Sequence, residues 1–239
     1  MSDKKIKQIE RPQSLCDIAA ESIRNAIING YYDLGVALSE NSLSESLGIS
    51  KTPIREALAL LKHEGLVTVV PQKGTFVFTM SVNDVAQLSW YRYILEATAL
   101  DMALSQHRAD LLSSLLEKCN EMASARKKND MSEYLRLDGL FHETIFQHCD
   151  NQYLKEGYNS ITGKVAALRT HLSKHPTHTD KSMGEHLEIT KLLQDGKFEE
   201  AKQILERHTT RGERTYADGI EDIATASPEE RSIRRSKKL

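Results

Sequence analysis

Cysteine is scarce in this chain of 239 residues: only Cys16, Cys119 and Cys149 occur, far apart and without a CxxC pair. A scattered, odd set builds neither a disulfide framework nor a cysteine-rich zinc site, and it suits a reducing cytoplasm. Five prolines and twelve glycines are too few for a turn-rich all-β chain, so a mainly α fold is expected. No segment approaches the roughly 18–20 consecutive apolar residues of a membrane span. The opening MSDKKIKQIE lacks the apolar stretch of a secretory signal. No membrane partner and no export are therefore expected.

Net charge is also small, at −2. Residues 1–79 carry nine Lys/Arg and nine Asp/Glu, residues 80–230 carry eighteen and twenty-five, and the last nine residues, RSIRRSKKL, carry five and none. An acidic middle repels phosphates, so any DNA contact must come from a local basic patch near one end. The division expected from these shifts is 1–79, 80–220 and a basic tail, 221–239, without apolar periodicity.

What is present begins with helical patterning. Residues 13–29 carry an apolar stripe through Leu15, Ile18, Ala19, Ile23 and Ile27, with Gly30 placed to end the helix. Ser39 precedes a short helix over 40–47 that Gly48 stops, and Ser50 precedes a second with Pro53 in its first turn. LVTVV and TFVFT then flank PQKG, a strand–turn–strand signal. From Val82 the pattern is helical, with six helices expected near 82–106, 109–127, 130–149, 151–174, 180–195 and 198–219. Links this short favour an antiparallel six-helix bundle.

The segment LSENSLSESLGISKTPIREALALLKHEGLV reads as a helix–turn–helix, and the two strands after it make a winged version. A helix entering the major groove must show short polar and cationic side chains at its N-terminus. Ser50, Lys51, Thr52 and Arg55 meet that need, opposite Ile54 and Leu58. Arg55 can make a bidentate contact to guanine that Lys51 only approximates. Lys73 and Gly74 at the hairpin tip can reach a neighbouring phosphate. From geometry alone a capped surface helix with a solvated basic edge remains an open alternative.

Four residues in the rear half lie on apolar faces. Asp138 and His142 are four apart on one helix, His186 sits in the stripe of the next-but-one, and His208 in the stripe of the last. Three imidazoles and a carboxylate from three helices can converge on a divalent first-row metal, zinc first, nickel or manganese next. Any one of these histidines taken alone reads as an ordinary core or surface residue. Arg92 is the single charge in the seam Val85, Leu88, Leu95, Ala99, Met102; it either pairs with Glu96 along its helix or faces the interior. In the second case it and the metal would clamp a small carboxylate. His63, His107, His148, His171, His175 and His178 read as ordinary histidines.

Residues 11–79 resemble the winged helix–turn–helix of the GntR family of bacterial transcription regulators, on Leu38-Ser39-Glu40, Leu47-Gly48-Ile49-Ser50, Thr52-Pro53-Ile54-Arg55-Glu56-Ala57-Leu58 and Glu64-Gly65-Leu66. The chain departs from the family pattern at Leu34, Lys51 and Gln72-Lys73. The resemblance places Asn41 where some members read DNA with Arg. The rear half resembles the FCD domain of the FadR subfamily, on Arg92-x-x-Leu95-Glu96, Asp138-x-x-Phe141-His142, Asn151, Glu185-His186-x-x-Ile189 and His208; six helices match its VanR-like branch. The resemblance implies a cytoplasmic homodimer that binds operator DNA, a repressor in function, governed by a small organic acid at a metal-containing pocket. It also places Arg169 near a pocket-facing arginine. A metal-dependent hydrolase or a metal-responsive sensor would use the same His/Asp set, although no second acid or base accompanies the ligands.

Overall fold

The computed structural model describes residues 13–175 and 177–217. The chain forms two compact units, one of Tyr32–Phe78 with the residues up to Ile27, the other of Ile28–Tyr31 with the residues from Thr79 on. The basic tail, 221–239, lies outside the described residues. Among them, no helix is long and apolar enough to cross a membrane.

The first unit runs α1 (Leu15–Ile28), β1 (Ala37–Leu38), α2 (Glu40–Leu47), α3 (Lys51–His63), β2 (Val67–Val70) and β3 (Gly74–Val77). Ser39 caps α2 by accepting from Ser42 N, and Gly48 ends it in the left-handed region at φ 65°, where a Cβ would be strained. The sharp stop turns the chain directly into α3. That helix buries Ile54, Ala57, Leu58 and Leu61, so its remaining side chains are left to water. Arg24 of α1 grips Glu64 just past α3 through two bonds of 2.8 and 2.5 Å. In α1 the buried face is Ala19, Ala20, Ile23 and Ile27, whereas Leu15 and Ile18 of the expected stripe are exposed.

The expected hairpin is part of a three-stranded antiparallel sheet, ordered β1-β3-β2. β2 and β3 pair in the register Val67↔Val77 and Val70↔Gly74, and β1 adds Ala37↔Phe76 on the other edge. β1 has two residues, too few to show an alternating pattern, and only its pairing with β3 defines it.

The second unit holds the six expected helices: α4 (Val82–Gln106), α5 (Arg108–Lys127), α6 (Met131–Gln147), α7 (Gln152–Leu172), α8 (His178–Gln194) and α9 (Phe198–Thr210). The last is shorter than expected; a turn at Arg211 separates it from helical residues 212–217. α4 packs on α6, α7 and α9, α5 on α6 and α8, and α8 on α9. The core between them centres on Leu100, Leu111, Leu115, Met122, Phe141 and Ile145. A cluster of buried histidines and carboxylates is embedded in this apolar setting.

Candidate functional site

In the first unit Asn41, Ser50, Lys51, Thr52, Arg55, Lys73 and Gly74 are all exposed. α3 arranges this by committing its apolar face to the core. The Ser50 hydroxyl makes no capping bond, contrary to its expected role, so it remains available at the start of the helix. Arg55 Nε donates to Glu40 Oε2 on α2 at 2.7 Å. At the wing tip, Gln72 (φ 62°) and Gly74 (φ 113°) make the turn that projects Lys73.

In the second unit the structure brings His142 (α6), His186 (α8) and His208 (α9) together, one ligand atom from each within 4.8 Å of the others. His142 Nε2 lies 3.1 Å from His208 Nε2 and 3.2 Å from His186 Nε2. Phe141 packs against the His186 ring, with centroids 4.4 Å apart. Two carboxylates stand behind the rings: Glu96 Oε2 is 2.8 Å from His142 Nδ1, and Glu185 Oε2 is 3.0 Å from His208 Nδ1. A carboxylate facing Nδ1 makes that nitrogen the donor and leaves Nε2 as a bare lone pair. The contact between His142 and His208 is then two lone pairs facing each other, not a hydrogen bond. Burial pushes all three imidazoles below the ordinary histidine value, His186 to about 4, so they are neutral.

This arrangement fits a divalent metal ion. Two donors each about 2.0–2.1 Å from one ion, at tetrahedral or octahedral angles, stand about 2.8–3.4 Å apart, the range seen between these nitrogens. The carboxylates behind Nδ1 are the usual second partners of metal-bound histidines. Asp138 stands beside the cluster, its Oδ1 3.8 Å from His186 Nε2. It is not left bare: Arg169 pairs with Oδ2, and Ser182 Oγ donates to Oδ1 at 3.0 Å. Burial alone would raise the Asp138 carboxyl, but the Arg169 guanidinium beside it holds it far below its ordinary value.

A cavity of about 50 Å³ opens beside the rings, lined by Arg92, Asp138, Arg169, His178, His208 and Arg211 among others. Arg92 pairs along its helix, its Nε donating to Glu96 Oε1 at 2.6 Å, and its buried Nη2 has no hydrogen-bond partner. Arg169 Nη2 is likewise buried and unpartnered. A Cβ on Gly139 would meet Arg169 Nη1 at 3.2 Å, which accounts for a glycine inside α6.

Three contributors escaped sequence reasoning in this role. On its own residues Glu96 reads only as a partner for Arg92, and otherwise it enters, like Glu185, only through the family resemblance. Arg211, which pairs with Glu185, was not considered, although it lies three residues after His208 and hence near its face. His178, read as an ordinary histidine, lines the cavity.

Both units have counterparts among known proteins. The model of bacterial regulatory proteins of the gntR family matches residues 16–77, and the FCD domain model matches residues 87–211. An uncharacterized HTH-type transcriptional regulator in an unstable DNA locus of Streptomyces ambofaciens is 32% identical over 202 residues, 82% of this chain and 80% of its own. The HTH-type transcriptional repressor RspR of Escherichia coli is 24% identical over 78% of this chain and 82% of its own. The crystal structure of a putative GntR transcriptional regulator from Rhodococcus sp. RHA1 superposes with a TM-score of 0.73, at 22% identity, covering 84% of this chain and 97% of that one.

Proposed function

The chain belongs to the gntR family of bacterial regulatory proteins and carries an FCD domain, and on that premise we propose that this transcription regulator is a repressor whose grip on operator DNA is set by a small carboxylate bound beside a divalent metal ion. The observation that carries the reading is His142 Nε2 within 3.2 Å of the Nε2 atoms of both His186 and His208, two of the three rings having their Nδ1 held by carboxylates.

His142, His186 and His208 hold the ion in this reading, with Asp138 beside them, and zinc is the first choice for this N/O set. The ion supplies positive charge and open coordination positions for an anion. Arg92 and Arg169, which line the cavity and each keep one buried guanidinium nitrogen without a hydrogen-bond partner, orient that anion, since a fork of donors suits a carboxylate. In the first unit Lys51, Thr52 and Arg55 read base edges in the major groove, with Asn41 beside them. Ser50, Lys73 and Gly74 meet phosphates.

A homodimer would present two copies of α3 to the half-sites of an operator, and effector binding would alter their spacing. A coupling of about 1–3 kcal/mol changes affinity about 5–150-fold, enough to switch a promoter. Such a protein works in the cytoplasm, with the chromosome. The metal-sensor alternative keeps the same ligands and needs no acid.

Elemental analysis of the purified chain tests the reading. We expect one divalent ion per chain in the wild type and none in His142→Ala at equal helicity. A wild-type chain that takes up neither zinc, nickel nor manganese would sink it.

A further inference from the structure

The acid-binding reading extends to a definite ligand class, whose assignment rests on that reading. Three ion pairs, the first buried and the other two largely so, surround the cavity, each on different elements: Arg92 with Glu96, Arg169 with Asp138, and Arg211 with Glu185. In every pair the arginine has one nitrogen left over. Arg92 Nη2, Arg169 Nη2 and Arg211 Nε are all buried and without a hydrogen-bond partner, and all three residues line the same cavity. Buried guanidinium N–H groups are rarely left unmatched, because each costs its desolvation without return. Three such groups on residues lining one cavity suit a ligand rich in acceptor oxygens.

Charge points the same way. Three guanidinium groups and three carboxylates cancel, so a divalent ion among the histidines leaves the pocket at +2. A monoanion would leave an uncompensated buried positive charge, whereas a dianion closes the balance. Size settles where the second charge goes. The inner cavity, about 50 Å³, takes little more than one carboxylate end beside the ion. Arg211 also lines the wider cleft of about 1150 Å³ outside it, together with His178 and Glu185. It therefore stands where the far end of a short ligand would emerge.

We propose that this site binds a small dicarboxylate, one end held by Arg92, Arg169 and the metal, the other by Arg211, and that Arg211 is the residue that selects it over a monocarboxylate. Glu185 gives the contact a route to the metal, since its Oε2 faces both Arg211 and His208 Nδ1.

The test uses the zinc-loaded full chain in isothermal titration calorimetry with acids matched in carbon number: malonate against propionate, succinate against butyrate, glutarate against pentanoate. We expect at least one dicarboxylate to bind tenfold or more tightly than its partner. In Arg211→Gln that preference falls to within about twofold by loss of dicarboxylate affinity alone, with zinc content by elemental analysis unchanged. Arg211→Lys, which keeps a charge opposite Glu185, loses most of the preference too and guards against a misfolded variant. Equal binding of the matched acids, or a preference that survives in Arg211→Gln, overturns the inference while leaving carboxylate control intact. A wild type that binds none of the six acids overturns both.

Discussion

Arg55 of α3 is held from behind by Glu40 of α2, with Nε 2.7 Å from Oε2. Arg55 is two-thirds exposed, so the ion pair adds little stability as such. Its consequence is orientation. Fixing Nε leaves the Nη edge of the fork free, the edge that in the proposed reading meets guanine O6 and N7 in one plane. Glu40 is in turn favoured where it stands, in the first turn of α2, by the helix dipole.

This gives a prediction for sequence reading. With duplexes selected by the wild type from a random pool, Arg55→Ala loses about 10–100-fold in affinity, since a bidentate base contact is worth about 1–3 kcal/mol. Glu40→Ala loses discrimination against scrambled DNA, yet its binding to scrambled DNA does not weaken, because it removes a negative charge. Glu40→Gln, whose amide oxygen still accepts, keeps most of the discrimination. Fluorescence anisotropy reads all three, and full discrimination in Glu40→Ala would show that Arg55 needs no support.

Glu96 and Glu185 bear on the proposed metal site rather than on DNA. Each fixes the tautomer and tilt of one imidazole. Removing such a partner costs about 10–100-fold in metal affinity. We expect that loss for Glu96→Ala, which removes the acceptor, in competition against a chelating dye, with His142 itself untouched. An unchanged affinity would mean the ring is oriented by packing, as Phe141 does for His186.

How much of this could be read beforehand depends on the physics of each element. The long helices were legible because their apolar spacing and caps are local: Asn151, for example, caps α7 by accepting from Leu154 N. β1 was not, because two residues carry no period and their partner is distant in sequence. His142, His186 and His208 could be proposed because an imidazole in an apolar stripe is conspicuous. Glu96 and Glu185 could not be paired with them, because their partners lie 46 and 23 residues away and a charged residue on a long helix ordinarily faces water. Arg211 falls inside the expected helix over 198–219, but an arginine on a helix ordinarily faces water, and its partner Glu185 lies on another helix.

The start of α4 carries a pH signature. Ser81 and Asp84 form a capping box: Ser81 Oγ accepts from Asp84 N at 3.1 Å, and Asp84 Oδ2 accepts from Ser81 N at 2.8 Å. Hydrogen bonds from Ser81 hold the Asp84 carboxyl below its ordinary 3.8. A depressed folded value stabilises above the unfolded pKa and is lost as pH falls through the folded one. Asp84→Asn should therefore melt below the wild type at pH 6, and the gap should close as pH falls below about 4. Circular dichroism melts of both proteins at stepped pH check this; a gap of constant size would assign the difference to something other than ionisation.

Metal removal distinguishes the two forms of control. An ion bound only by the folded chain stabilises it by mass action, about 2.7 kcal/mol at a hundredfold excess over Kd. For a protein of this size that corresponds to a melting point about 5–10 °C higher. EDTA should lower the melting point of the wild type by that amount and leave His208→Ala, which lacks a ligand, unmoved. In gel shifts with the selected duplex, the chelated protein should still bind DNA but no longer respond to the dicarboxylate that releases the metal-loaded one. If chelation alone releases the duplex, and the acids change nothing before or after, the ion is itself the signal and Arg92 and Arg169 serve only to neutralise Glu96 and Asp138.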